Sequence, residues 1–285
     1  MEGLLGGLEE FGLKNTDNIK IFEDANSDGK GENDKVDKKK EFVEEDFLFD
    51  KTFECPVCDF EFKSKMIRTG KVKLLAVDLD LRPRYQGVDC LKYDAIMCPR
   101  CGYTALSRYF SFVMAKQVKA IKTEISQTFT NPEPEMTTYS YDTAISRHKL
   151  ALLNAVVKNA KCSEKAYICL KLSWLLRGKQ EELLQVKKQD DEEVKKLKEE
   201  ELKATAKSHE GFTAAFSTEI FPMCGMDQYT VMFLVAVMSF RLGKKEETMR
   251  WISEIMIAKD AQPRIKDKAR DLKELVMKAR KDENK

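Results

Sequence analysis

The sequence predicts an α+β chain, a small metal-stapled β region followed by a helical region that is tetratricopeptide-like or an antiparallel helix bundle. Three observations carry that reading. Two C-x-x-C pairs, Cys55/Cys58 and Cys98/Cys101, stand 39 residues apart. The residues between them alternate or carry β-branched side chains, the period of strands. From about residue 143 onward the apolar positions recur at helical spacing. Charge follows the same division. Residues 1–50 sum to −8, residues 51–127 to +6 and residues 128–285 to +4, within a total of +2. So small a net charge argues against a chain committed to nucleic acid along its whole length. The predicted units are 1–50, an N-terminal helix and acidic flexible linker; 51–127, a four-cysteine β domain with a trailing helix; and 139–285, a helical repeat-like domain.

The first unit opens on an apolar helical pattern, Leu4, Leu5, Leu8, Phe11 and Leu13. It then turns polar from Glu23 to Lys40, with too little apolar surface to order itself. Asp24, Asn26, Asp28 and Gly29 resemble the first half of a calcium loop. Lys35 stands at the twelfth position, where a bidentate Glu is required, so a solvated acidic linker is the expectation. In the second unit, Lys63–Ile67 and Lys71–Asp80 read as strands with Thr69-Gly70 as the turn between them, and Tyr93–Met97 as a further strand. Leu106–Ile125 reads as a helix with Phe110, Val113, Met114, Val118, Ile121 and Ile125 on one side. The breakers in Asn131-Pro132-Glu133-Pro134 mark a boundary. Beyond it, helices are expected at about 143–160, 164–177, 180–207, 228–242, 245–258 and 264–281. Asp142 and Ser163 are expected as N-caps, and Gly178 and Gly243 at left-handed helix ends. Leu150, Leu152, Leu153, Val156 and Val157 are expected to line a buried face.

The two C-x-x-C pairs are the strongest chemical signal. Two residues between cysteines let one tight turn aim both sulfurs at one ion, with backbone N–H groups turned toward the thiolates. Gly102 follows the second pair, where a left-handed backbone is easy. Four thiolates at about 2.3 Å complete a tetrahedron, with no position open for water or substrate. The expected metal set is therefore Cys55, Cys58, Cys98 and Cys101, holding structural Zn2+. Iron in a rubredoxin-like centre uses the same ligands and is the lesser alternative. A dithiol redox pair is a further alternative, although no βαβ frame surrounds either pair. Cys90 lacks a partner at this spacing and reads as a packed or partly exposed thiol.

Four stretches then point to a family. MEGLLGGLEEFGL, ECPVCDFEFKSKMIRTGK, DLDLRPRYQGVDCLKYDAIMCPRCGY and AYICLKLSWLLRGKQEE together resemble an uncharacterised bacterial family, the domain of unknown function 2225. The resemblance covers most of the chain except 23–40. It implies a cytoplasmic bacterial protein with a metal-binding N-terminal half, and no established activity. The chain departs from the family pattern at Cys90, where a proline is expected.

No constellation for catalysis stands out: there is no G-x-S-x-G, P-loop lysine, H-E-x-x-H or G-x-G-x-x-G. His148 and His209 are the only histidines, far from both cysteine pairs, and read as surface or helix-packing residues. The expectation is a non-enzymatic interaction module or adaptor that holds another protein or peptide through its helical domain. A nucleic-acid-binding zinc ribbon is the alternative. It would use a basic, aromatic surface of Arg82, Arg84, Tyr85, Arg100 and Tyr103. No apolar run reaches the roughly 20 residues that span a bilayer, so no membrane partner and a cytoplasmic location are expected.

Overall fold

The structure, a computed structural model, describes residues 43–283 apart from residues 132 and 190. The N-terminal helical pattern and the calcium-loop-like stretch lie outside the described residues. The architecture is α+β: short antiparallel strands, then helices. Strands β1 (Leu48–Glu54) and β2 (Glu61–Ile67) form a hairpin in which Phe53 faces Phe62. Strands β3 (Leu74–Val77) and β4 (Pro83–Tyr85) form a second pair, and β5 (Ala95–Met97) and β6 (Thr104–Leu106) a third. The turn at Thr69-Gly70 thus joins two strands that do not pair with each other. The partner of β2 is β1, whose exposed, charged residues hide its strand character.

The expected helix at 106–125 begins only at α1 (Ala115–Ile121), which continues into one π-helical turn, Lys122–Ser126. The preceding residues are held otherwise. Leu106 closes β6, and Tyr103 donates its hydroxyl proton to the Phe110 carbonyl at 2.9 Å.

Six helices follow: α2 (Tyr141–Val157), α3 (Cys162–Leu183), α4 (Glu192–Thr218), α5 (Gln228–Arg241), α6 (Lys245–Ile257) and α7 (Pro263–Glu283). Short turns at 158–161 and 242–244 fold α2 against α3 and α5 against α6, as helical hairpins do. Gly243 has φ +77° and ends α5 as expected. Gly178 instead lies inside α3, and its backbone is not left-handed. A Cβ there would sit 2.5 Å from the Tyr141 ring, so this glycine serves close approach of α2 rather than a helix end. The helix expected at 180–207 is correspondingly displaced: α3 runs on to Leu183, and α4 starts at Glu192 behind an Asp191 cap. Ser140, not Asp142, caps α2 by accepting from the Thr143 N–H. Ser163 lies one residue inside α3 and bonds Glu219. Among the described residues no helix is long and apolar enough to cross a membrane.

Candidate metal centre

The two C-x-x-C turns are built alike. In the first, the Cys55 N–H donates to Phe60 O (3.0 Å) and the Asp59 N–H to Cys55 O (2.9 Å). In the second, the Cys98 N–H donates to Tyr103 O (2.8 Å) and the Gly102 N–H to Cys98 O (3.1 Å). The residue after each second cysteine takes the left-handed backbone, Asp59 at φ 58° and Gly102 at φ 74°. Backbone N–H groups of Val57 and Cys58 point at the Cys55 sulfur, and those of Arg100 and Cys101 at the Cys98 sulfur. The site is thus two equivalent knuckles facing each other, each supplying two sulfurs and a set of amide dipoles that favour anionic ligands.

All four Sγ atoms lie within 4.8 Å of one another. Across the knuckles, Cys55 is 3.6 Å from Cys101, and Cys58 is 3.7 Å from Cys98. A tetrahedron with bonds of about 2.3 Å has edges of about 3.8 Å, so the cluster could hold a metal ion without rearrangement of the chain. Cys55 and Cys98 are fully enclosed, Cys101 is buried and Cys58 partly exposed. As bare thiols Cys55, Cys98 and Cys101 compete for one ionised state. Hydrogen bonds from Cys101 and Cys55 draw the Cys98 thiol down to about 2, against its burial. At Cys55 the hydrogen bond from Cys101 lowers the pKa, but the bond to Cys98 and burial outweigh it and leave the thiol at about 12. Cys101 is pushed far up by its bonds to Cys55 and Cys98. A cation is what lets all four be thiolates together, so binding must expel protons and weaken in acid.

An aromatic cluster surrounds the knuckles. Phe53, Phe62, Tyr103 and Phe110 meet with ring centroids 5.1–6.1 Å apart. The second knuckle is also anchored to the helical part. Asn154 on α2, fully buried, donates to Gly102 O at 3.1 Å, and the Phe129 ring covers the Gly102 Cα. Neither contact is readable from the sequence, because both partners come from far along the chain.

The proposed basic, aromatic surface is largely folded inward. Arg82 is 2% exposed and pairs with Asp89 (3.1 Å) and Glu181 (3.3 Å). Arg84 pairs with Asp78 (2.7 Å) and Glu181 (2.5 Å). Tyr103 is inside the aromatic cluster, and Tyr85 is half-buried. Arg100 alone of the five is exposed, over the Phe60 ring. The run Asp78–Tyr85 therefore meets helices: Arg177 of α3 bonds Asp80 and Glu201, and Arg241 of α5 bonds the same two carboxylates.

Cys90 is half-buried, and burial together with the Asp89 carboxylate pushes its thiol up to about 12, the state of an inert packed thiol. His148 is completely enclosed, with Nδ1 2.8 Å from Ala144 O, and burial lowers its pKa to about 4. His209 Nε2 lies 2.9 Å from Ser239 Oγ and 3.0 Å from Glu247 Oε1. Serine and carboxylate share one ring nitrogen there, whereas a catalytic triad places them on opposite nitrogens. Beside the second knuckle a cleft of about 720 Å³ runs between β2 and the 131–139 segment. Lys63, Lys65, Pro99 and Arg147 are among its lining residues. Its charges are partly balanced internally, Lys65 by Asp50 (2.8 Å) and Arg147 by Glu133 (2.6 Å).

A family model described as an uncharacterized protein conserved in bacteria, DUF2225, matches residues 48–276. No curated protein and no solved structure gives a significant match.

Proposed function

The chain belongs to the uncharacterised bacterial family DUF2225, and from that premise we propose that it is a cytoplasmic, zinc-stapled interaction protein rather than an enzyme. The observation that carries the reading is the closed four-sulfur cluster, with cross-knuckle distances of 3.6 and 3.7 Å. Four thiolates fill a tetrahedral ion and leave no position for a substrate, so the ion's work is to hold two distant turns together. Zinc is favoured over iron because a d10 ion imposes no geometry of its own and suits a purely structural tetrahedron; a redox role would instead require iron or a cycling dithiol. The helical hairpins from Tyr141 onward, which we read as tetratricopeptide-like pairs, are the surface proposed to receive a protein or peptide.

Elemental analysis of protein purified without added metal tests the first half: about one zinc per chain is expected. A coloured protein carrying iron would replace the structural reading with electron transfer. In-cell crosslinking followed by mass spectrometry tests the second half. A reproducible protein partner mapped to α2–α7 is expected. Robust turnover of a small substrate, or salt-sensitive binding of single-stranded RNA with no protein partner, would overturn it.

A further inference from the structure

Phe112 and Met114 project into solvent at 77% and 68% exposure, although the residues around them are fixed. Phe110 is buried under the Tyr103 hydroxyl. The Phe112 N–H donates to Tyr109 O at 3.2 Å. The Met114 N–H donates to Gln117 Oε1 at 3.0 Å, and Met114 O accepts from Gln117 and Val118. Val113, between the two, turns inward and packs with Val118 and Val157 on the apolar cluster around the knuckles. The turn is therefore a rigid support that aims one residue in and its two neighbours out.

The end of α2 adjoins this turn. Gln117 Nε2 donates to Lys158 O at 3.0 Å, and Val157 shares the Val113 cluster. Beside Val157, Val156 is 56% exposed, and Leu153, one turn earlier, 50%. Both were expected on the buried face of α2.

The rim is basic. Lys116, Lys119 and Lys122 on α1 and its extension, and Lys161 on the α2–α3 turn, are exposed. Among the described residues none of the four has an ion-pair partner. Acidic side chains nearby are Glu164, already held by Lys158 at 2.7 Å, and Glu124.

We propose that this surface, Phe112 and Met114 backed by Val156 and rimmed by Lys116, Lys119, Lys122 and Lys161, docks the protein onto an anionic lipid bilayer surface. The inference goes beyond the interaction-module reading and does not depend on it. Charge complementarity selects an anionic partner. The apolar centre selects lipid over nucleic acid, since Phe112 is its one stacking ring and Met114 and Val156 beside it offer no face to a second base, whereas single-strand grooves stack successive bases on several aromatics. Protrusion selects lipid over a peptide, since a peptide groove would half-bury its apolar anchors, whereas side chains standing this far out can enter the headgroup layer. The expectation of no membrane partner rested on the lack of a spanning segment, which a peripheral surface does not need.

The test is co-sedimentation of the full, metal-loaded chain with vesicles of phosphatidylcholine alone and of phosphatidylcholine mixed with phosphatidylglycerol. Binding to the mixed vesicles only, weakened by salt, is expected. Lys116→Glu with Lys119→Glu should reduce it on the order of fivefold or more for each lysine changed. Phe112→Ser with Met114→Ser should reduce it comparably while leaving the circular dichroism spectrum unchanged, because both side chains are exposed. Lys196→Glu with Lys203→Glu on the exposed face of α4 alters net charge equally and should change binding little. Equal binding to both vesicle types, wild-type binding by the Phe112/Met114 variant, equal losses from the α4 pair, or single-stranded oligonucleotide bound in preference to vesicles would each overturn the proposal.

Discussion

At the scale of single residues, the two knuckles differ at one position, and the difference is testable. Asp59 and Gly102 hold the same left-handed backbone after the second cysteine of each pair. Aspartate tolerates that region better than most residues, yet glycine enters it without the Cβ penalty. Asp59 is exposed, so Asp59→Gly removes strain and little else. It should stabilise the metal-loaded protein by about 0.5 kcal/mol, read from the denaturant midpoint. Gly102→Ala should act oppositely and more strongly. Its φ is +74°, and the new methyl would meet the Phe129 ring at 2.5 Å. A loss of about 2 kcal/mol is expected. Equal effects of the two changes would mean that the knuckles are not equivalent turns with different neighbours.

At the scale of elements, buried ion pairs attach the β3–β4 region to the helices. Asp80 and Glu201 side chains are 4% and 5% exposed, and each is held by both Arg177 and Arg241. Removing one arginine leaves two enclosed carboxylates half-compensated, which is costlier than losing an exposed pair. Arg177→Met should therefore lower stability by about 3 kcal/mol. Arg84→Met, at a guanidinium 32% exposed against a Glu181 side chain 40% exposed, should cost at most about 1 kcal/mol. Chemical denaturation of both variants beside the wild type measures the contrast; similar losses would show that the network stabilises no more than a surface pair. The stretch Asp78–Tyr85 sets acidic and basic side chains next to one another, a composition compatible with ion pairing as well as with a ligand surface. What decided between them for Arg82 and Arg84 was Glu181, about a hundred residues away in α3, which no local pattern announces.

For the whole molecule, the question is what the metal holds together. The described residues from Val43 onward form one compact unit. Within it, the β1–β2 hairpin and first knuckle are tied on at one end by the sulfur cluster and the aromatic rings, and at the other by Leu48 and Ile67 packing with Val88, Tyr93 and Tyr139. The metal end is the one that chelation removes, and a two-stranded hairpin is marginal alone. Residues 78–94 have independent anchors, the ion pairs to α3 and α5 and the Lys171–Asp94 pair. Chelation at neutral pH should therefore release residues 48–75 first. Limited proteolysis should give a helical fragment beginning in the low seventies rather than at the Pro132–Pro134 break. A fragment starting near 132 would mean that the whole β region detaches as a unit. Continued resistance between Lys51 and Ile67 would mean that the metal is not the staple.

By itself the sequence determined what is local. A pair of cysteines three positions apart turns both sulfurs one way whatever surrounds it, so the four-sulfur cluster was readable before any fold. Helical periodicity likewise located most helices from α2 onward, because i to i+4 bonding and apolar spacing act within a few turns. The tertiary structure alone decided which faces are covered. Leu153, Val156 and Met114 fit apolar helical patterns, yet they face water because neighbouring elements cover other sides. It also set the role of Gly178, an apparent helix end whose missing side chain makes room for Tyr141. Strand β1 belongs to the same class: its charged, exposed residues pair with β2 through backbone hydrogen bonds that any side chain permits. Burial depends on partners brought close by the fold, and hydropathy along the chain carries only half of that information.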